Sequence, residues 1–130
     1  MNTLKLFFST LFICLCIDMT WLLLIAKNTY LNAIGPLMRH SFHIKLIPFS
    51  LLIYILIVTG ILFFVLPRAQ GQYAQALWQG ALFGLIVYGI YDFTNYVTLA
   101  HWPLPITFID MAWGAVLCGI TSLFACWMGK

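Results

Sequence analysis

The stretch ITFIDMAWGAVLCGITSLFACWM, residues 106–128, decides how this chain is built. It holds one charged residue, Asp110, and no alternation of polar with apolar positions. A hydrocarbon core of about 30 Å is crossed by roughly 20 helical residues. Within lipid, backbone polar groups must be satisfied inside the segment or in a closed barrel. A continuous apolar run without barrel-type alternation therefore reads as a spanning helix. Three more such runs lie upstream, at about 4–26, 46–66 and 76–99. The expected fold is an all-α integral membrane protein: one four-helix transmembrane bundle over residues 1–130. A short interfacial loop or helix is expected between the first and second helices.

Composition agrees. Hydrophobic residues make up 64% of the chain and charged residues 7%, with a mean hydropathy of +1.03; soluble chains carry about 25% charged residues. The net charge of +3 comes from six basic residues scattered near the ends of the apolar runs. A nucleic-acid binder clusters them on one face, so no nucleic-acid partner is expected and membrane lipid is. Cys14, Cys16, Cys118 and Cys126 form no CxxC pair and fall inside apolar runs, where cysteine behaves as a small hydrophobe. Residues 4–26 exceed the apolar core of a secretory signal, contain Asp18 and lack a cleavage-type small-residue site, so they are expected to stay as the first helix.

The connections fit four spans. Residues 27–45 hold Lys27, Arg39, His40, His43, Lys45 and a Gly35-Pro36 break. Tyr30, Ile34, Leu37 and Met38 recur there at helical spacing, as in an interfacial helix. Pro67 to Tyr73 reads as a polar turn. His101-Trp102-Pro103-Leu104-Pro105 is short, and its prolines stop one helix and start the next, making the third and fourth helices tight antiparallel neighbours. Lys5, Arg68 and Lys130 lie on one side (side A) and Lys27, Arg39 and Lys45 on the other (side B). That three-to-three division selects no orientation.

The chain has three carboxylate side chains, Asp18, Asp92 and Asp110, all inside apolar runs. A charge at the centre of a spanning helix costs about 2.5–3.5 kcal/mol on insertion scales, so three cost about 8–10 kcal/mol. Solubility cannot be the reason for them. At 1.5 Å per residue, Asp18, Asp92 and Asp110 lie about 12, 10 and 6 Å from the side-B ends of their helices. They share one half of the membrane. Two occur in matching phrases, Ile17-Asp18-Met19-Thr20-Trp21 and Ile109-Asp110-Met111-Ala112-Trp113.

Helical spacing puts Cys14 and Trp21 on the face of Asp18, Trp113 and Gly114 on that of Asp110, and Tyr88, Asn95 and Tyr96 on that of Asp92. Tyr54 lies at a comparable depth in the second helix. Convergence of these faces would make a pocket in which Asp18, Asp92 and Asp110 carry acid/base chemistry. Trp21, Tyr54, Tyr88, Tyr91, Asn95, His101 and Trp113 would hold a ligand, with His40, His43, His101 and Arg39 as a roof. Gly80 and Gly84 form a GxxxG whose default use is helix packing. Three nearby carboxyls in low dielectric cannot all be ionised. A retained proton, a bound cation or a basic loop residue, Arg39 foremost, would resolve the conflict. Proton retention is preferred, because no two ligands sit in a compact metal motif. No metal or cofactor is expected.

The phrases Tyr88-Gly89-Ile90-Tyr91-Asp92-Phe93-Thr94-Asn95, His101-Trp102-Pro103-Leu104 and Asp110-Met111-Ala112-Trp113-Gly114 resemble an uncharacterised bacterial membrane family, domain of unknown function 2177. Asp18-x-x-Trp21 and Gly80-Ala81-Leu82-Phe83-Gly84 fit it too, so the resemblance covers nearly the whole chain. It implies a small four-span protein of the bacterial inner membrane and carries no activity with it.

Three functions compete. The first binds or acts on a lipid-like molecule (isoprenoid, acyl or sterol-like) through carboxylate acid/base chemistry, with catalysis left open. The second is a proton- or cation-coupled transporter working as a homodimer, since four helices are few for a private pathway. The third is a structural subunit whose acids grip another membrane protein. Acids facing one another favour the first two; acids facing lipid favour the third.

Overall fold

The computed structural model describes residues 2–38 and 44–130. Arg39, His40 and His43, expected to roof the site, lie outside the described residues. Among the described residues four helices are long and apolar enough to cross a membrane: α1 (Thr3–Ile25), α3 (Ile44–Ala69), α4 (Tyr73–Thr98) and α5 (Leu104–Gly129). Between the first two lies α2 (Lys27–Ile34), followed by a tight turn at Gly35–Leu37. No strand occurs among the described residues. The all-α bundle and its short interfacial helix are as the apolar pattern requires.

Two boundaries move for local reasons. Pro67, expected in the second connection, lies inside α3, which continues to Ala69. Proline lacks an N–H and crowds the carbonyl four residues back. The turn just before it, Ile61–Val65, is widened to i→i−5 bonding, with Leu66 N–H donating to the Ile61 carbonyl. The helix thereby carries the proline without breaking. The turn itself is only Gln70 to Gln72, closed by left-handed Gln70 (φ 52°) and Gly71 (φ 75°). At the other end of the bundle Pro103 caps α5, and the Trp102 indole donates to Thr107 Oγ1 at 3.1 Å, locking the entry turn.

α4 and α5 are joined most closely, in antiparallel register. A Cβ added to Gly84 would stand 2.7 Å from the Gly114 carbonyl carbon, and one on Gly80 2.6 Å from the Cys118 carbonyl oxygen. Ordinary Cβ contacts do not come so near, so these helices touch backbone to backbone. Without a hydrophobic drive between helices in lipid, such close packing is what associates them.

On its other side α5 packs along α1, and α1 meets Ile47–Gly60 of α3. The ring is completed by α3 against α4, chiefly through the side-A part of α3, Ile61–Ala69. The core follows this plan: Ile57, Val58, Ile61, Val65 and Leu117 pack with Cys14 and Cys118. Along Thr3–Thr20 the buried residues are Thr10, Cys14 and Asp18, spaced by four on one face. Leu4, Phe8, Phe12, Leu23 and Leu24 point outward. The helix is inside-out by soluble standards, as lipid as solvent demands.

α2 lies over the side-B end. Its Tyr30 packs with Ala26 and Ile106, helped by Trp21, Leu22 and Trp102.

Candidate functional site

The two matching phrases meet. Trp21 and Trp113 stack with ring centroids 4.5 Å apart and planes 7° from parallel. The Trp113 indole N–H donates to Asp18 Oδ1 at 2.8 Å. The Trp21 indole N–H donates to the Tyr30 hydroxyl at 3.3 Å, and that hydroxyl donates to Asp110 Oδ1 at 2.7 Å. Each phrase thus supplies an indole that serves the other phrase's acid, once directly and once through a phenol. Antiparallel α1 and α5 make this reciprocal pairing possible, because i and i+3 share a face on each helix.

Asp18 is buried and accepts on both oxygens, since the Tyr54 hydroxyl donates to its Oδ2 through a short bond. Hydrogen bonds to a charged group are worth about 1.5–3 kcal/mol each. Two of them match the cost of one carboxylate in the membrane, about 2.5–3.5 kcal/mol.

Asp92 is the opposite case. It is wholly buried, and neither oxygen has a formed hydrogen bond among the described residues. Its interacting neighbour is the Asp110 carboxyl, at close range but outside hydrogen-bond geometry. A buried acid that faces another acid and has no formed hydrogen bond among the described residues must hold a proton or meet a cation. Tyr91 stands within electrostatic reach of both acids and interacts with Asn95. Tyr88 reaches towards Asp18, Asp110 and Tyr54. It stands within electrostatic reach of both Asp18 and Asp110. Outside the membrane spans, burial and then the accepting Asp110 carboxylate raise the Tyr30 phenol above its ordinary value.

A cavity of about 510 Å³ opens onto these groups. Its walls are Leu22, Ile53, Leu56, Ile57, Phe83 and Val87, and its polar end is Asp18, Tyr88, Tyr91, Asp110 and Trp113. The cavity lies where Ile47–Gly60 of α3 stands apart from α4. Leu56 and Ile53 at its rim are 62% and 58% exposed, so the mouth faces the bilayer sideways. Phe83, packed on Gly60, closes its side-A end.

Of the residues expected at the site, Asp18, Asp110, Tyr88, Tyr91 and Trp113 line the cavity. Trp21 and Tyr54 hold the acids from behind. Asp92 sits behind Asp110 rather than on the cavity wall, so the three acids do not form one cluster. Asn95 is half-buried beside Tyr91. His101 is exposed in the α4–α5 turn and makes no hydrogen bond to the site among the described residues, so it does not roof the pocket. Tyr96 is also exposed. Among the described residues no three His, Cys, Asp or Glu gather as metal ligands. The residue that sequence reasoning missed as a site residue is Tyr30. It is the buried position of a short amphipathic helix, a signal that its spacing carried but that read only as membrane-surface packing.

The family model described as "Predicted membrane protein (DUF2177)" matches residues 3–127. No curated protein and no solved structure matches the chain.

Proposed function

For this chain, which belongs to the DUF2177 family of predicted membrane proteins, we propose a multi-pass protein of the bacterial inner membrane that takes a lipid-like amphiphile sideways from the bilayer. The tail lies along Leu56, Ile57, Phe83 and Val87, and the polar end meets Asp18 and Asp110. The observation that carries this reading is the cleft itself, apolar at a mouth between α3 and α4 and acidic at its inner end. Pockets for small molecules have this make-up, mostly apolar with a few convergent polar groups. The proton held by the Asp92–Asp110 pair can pass by way of Asp110 to a guest's polar group while Asp18 accepts one, an acid/base pair for isomerisation or hydration.

Native mass spectrometry of the purified protein tests the reading. The wild type should retain an amphiphile, and Leu56→Trp, which fills the mouth, should lose it. A wild type that carries none, and binds none from a panel of isoprenoid, acyl and sterol-like compounds, would remove the proposal.

A second reading, proton-coupled transport, draws support from Asp92, a buried acid aimed at Asp110 rather than at the cavity. Proton flux into vesicles that stops on Asp92→Asn would favour it. The inward placing of Asp18 and Asp92 speaks for a site within the chain over a grip on another subunit.

A further inference from the structure

The cleft has a sign. Its charged wall groups are both acids, and among the described residues no Lys, Arg or His lines it. Asp18 takes the Trp113 indole N–H on one oxygen and meets the Tyr54 hydroxyl with the other. A carboxyl at the end of an apolar cleft that Trp113, Tyr88 and Tyr91 also line is the surrounding that binds ammonium groups, through charge and aromatic rings together.

The second observation is Asp92. It is fully buried, has no hydrogen-bonding partner among the described residues, and faces the carboxyl of Asp110 that the cleft reaches from the other side. The groups that face this pair are Tyr30 from α2, Tyr88 and Tyr91 from α4 and, across the cleft, Asp18 from α1. Among the described residues none of these groups can carry a positive charge, so the pair's own countercharge is a proton.

We propose that the guest carries a positive charge, an amine or quaternary ammonium group on an apolar tail, and that its arrival displaces the proton that the Asp92–Asp110 pair holds. The proposal rests on the reading of the cleft as an amphiphile site and deepens it. One carboxyl O–H bond breaks, the proton leaves to water, the pair goes from one negative charge to two, and the guest restores the balance. Proton and guest compete for Asp110, so the cation binds more tightly as pH rises, by up to about tenfold per pH unit over the range in which the pair holds its proton.

Isothermal titration of the protein in nanodiscs of zwitterionic lipid tests this, with a long-chain alkyltrimethylammonium as probe and the alcohol of equal chain length beside it. Repetition in two buffers of different ionisation heat counts the protons released. The expected result is saturable binding of the cation, weaker binding of the alcohol, and close to one proton released per cation. Asp18→Asn should weaken cation binding about tenfold or more. Asp92→Asn should keep it while proton release and pH dependence disappear. If Asp18→Asn does not fold, the cation-to-alcohol ratio and proton count of the wild type decide. Alcohol binding as tight as cation binding, or cation binding with no proton released, overturns the inference and leaves the amphiphile site standing. If neither probe binds, and the panel above gives the same answer, the site itself falls.

Discussion

Tyr30 holds Asp110 with one hydrogen bond, while Asp18 is held by two, from Tyr54 and Trp113. Each such bond to a charged group is worth about 1.5–3 kcal/mol. Tyr30→Phe should therefore destabilise the protein by about that amount. Most of the loss should vanish in a background where Asp110 is already Asn, and a double-mutant cycle on thermal unfolding in detergent checks the coupling. The phenol also predicts a sign with pH. Its proton is held more tightly in the folded chain than in the unfolded one. The resulting stability is complete below the ordinary phenol value, about 10, and is lost as pH rises through the higher folded value. Wild type and Tyr30→Phe should thus differ at neutral pH by a constant amount and converge only at strongly alkaline pH. A gap that closes between pH 6 and 8 would show that another group is responsible.

At the scale of elements, the α4–α5 seam is governed by absent side chains. Gly84 lies against the backbone of Gly114, and Gly80 against Cys118 and Ser122. Overpacking a close interface costs about 1–3 kcal/mol, occasionally more. Gly84→Val meets backbone that cannot turn aside, so it should fall at or above the top of that range. Gly35, with nothing within 4 Å of an added Cβ, should accept Ala without measurable loss. Parallel melting curves of the two variants make the comparison, and equal stability would contradict the seam. The GxxxG spacing was readable in the sequence, and so were the Pro103 and Pro105 signals that bring α4 and α5 together. The widened turn at Trp21–Ile25, where Ala26 N–H reaches the Trp21 carbonyl at 2.7 Å, was not. Its sequence, WLLLI, holds neither proline nor glycine, and the turn sits where α1 gives way to α2 under tertiary packing.

For the whole molecule, the lipid-facing and core-facing sides of each helix are distinguished most sharply by the cysteines. Cys14, Cys118 and Cys126 are buried, and Cys16, two residues from Cys14, is exposed. A membrane-permeant maleimide should add once to the folded protein in mild detergent, at Cys16, and four times after denaturation. Mass spectrometry counts the adducts, and rapid modification of Cys14 would mean that α1 is rotated from its observed face. The same rotation would carry Asp18 away from Tyr54 and Trp113, so this count also checks the site.

Hydropathy alone was enough for four spanning helices, their approximate limits and the half of the membrane in which the acids lie. Length, apolarity and the backbone's need for internal hydrogen bonds leave no other solution in lipid. Helical spacing also placed Asp18 with Trp21 and Asp110 with Trp113. What spacing along one helix cannot contain is the partner across the gap. Tertiary packing alone decided that the indoles cross over to each other's acids and that Tyr30 completes the second contact. It also decided that Asp92 stands behind Asp110 and that α3 leans away from α4 to open a cleft. Hydropathy marks which residues leave water, while helix rotation and tilt follow from close packing between surfaces far apart in the chain.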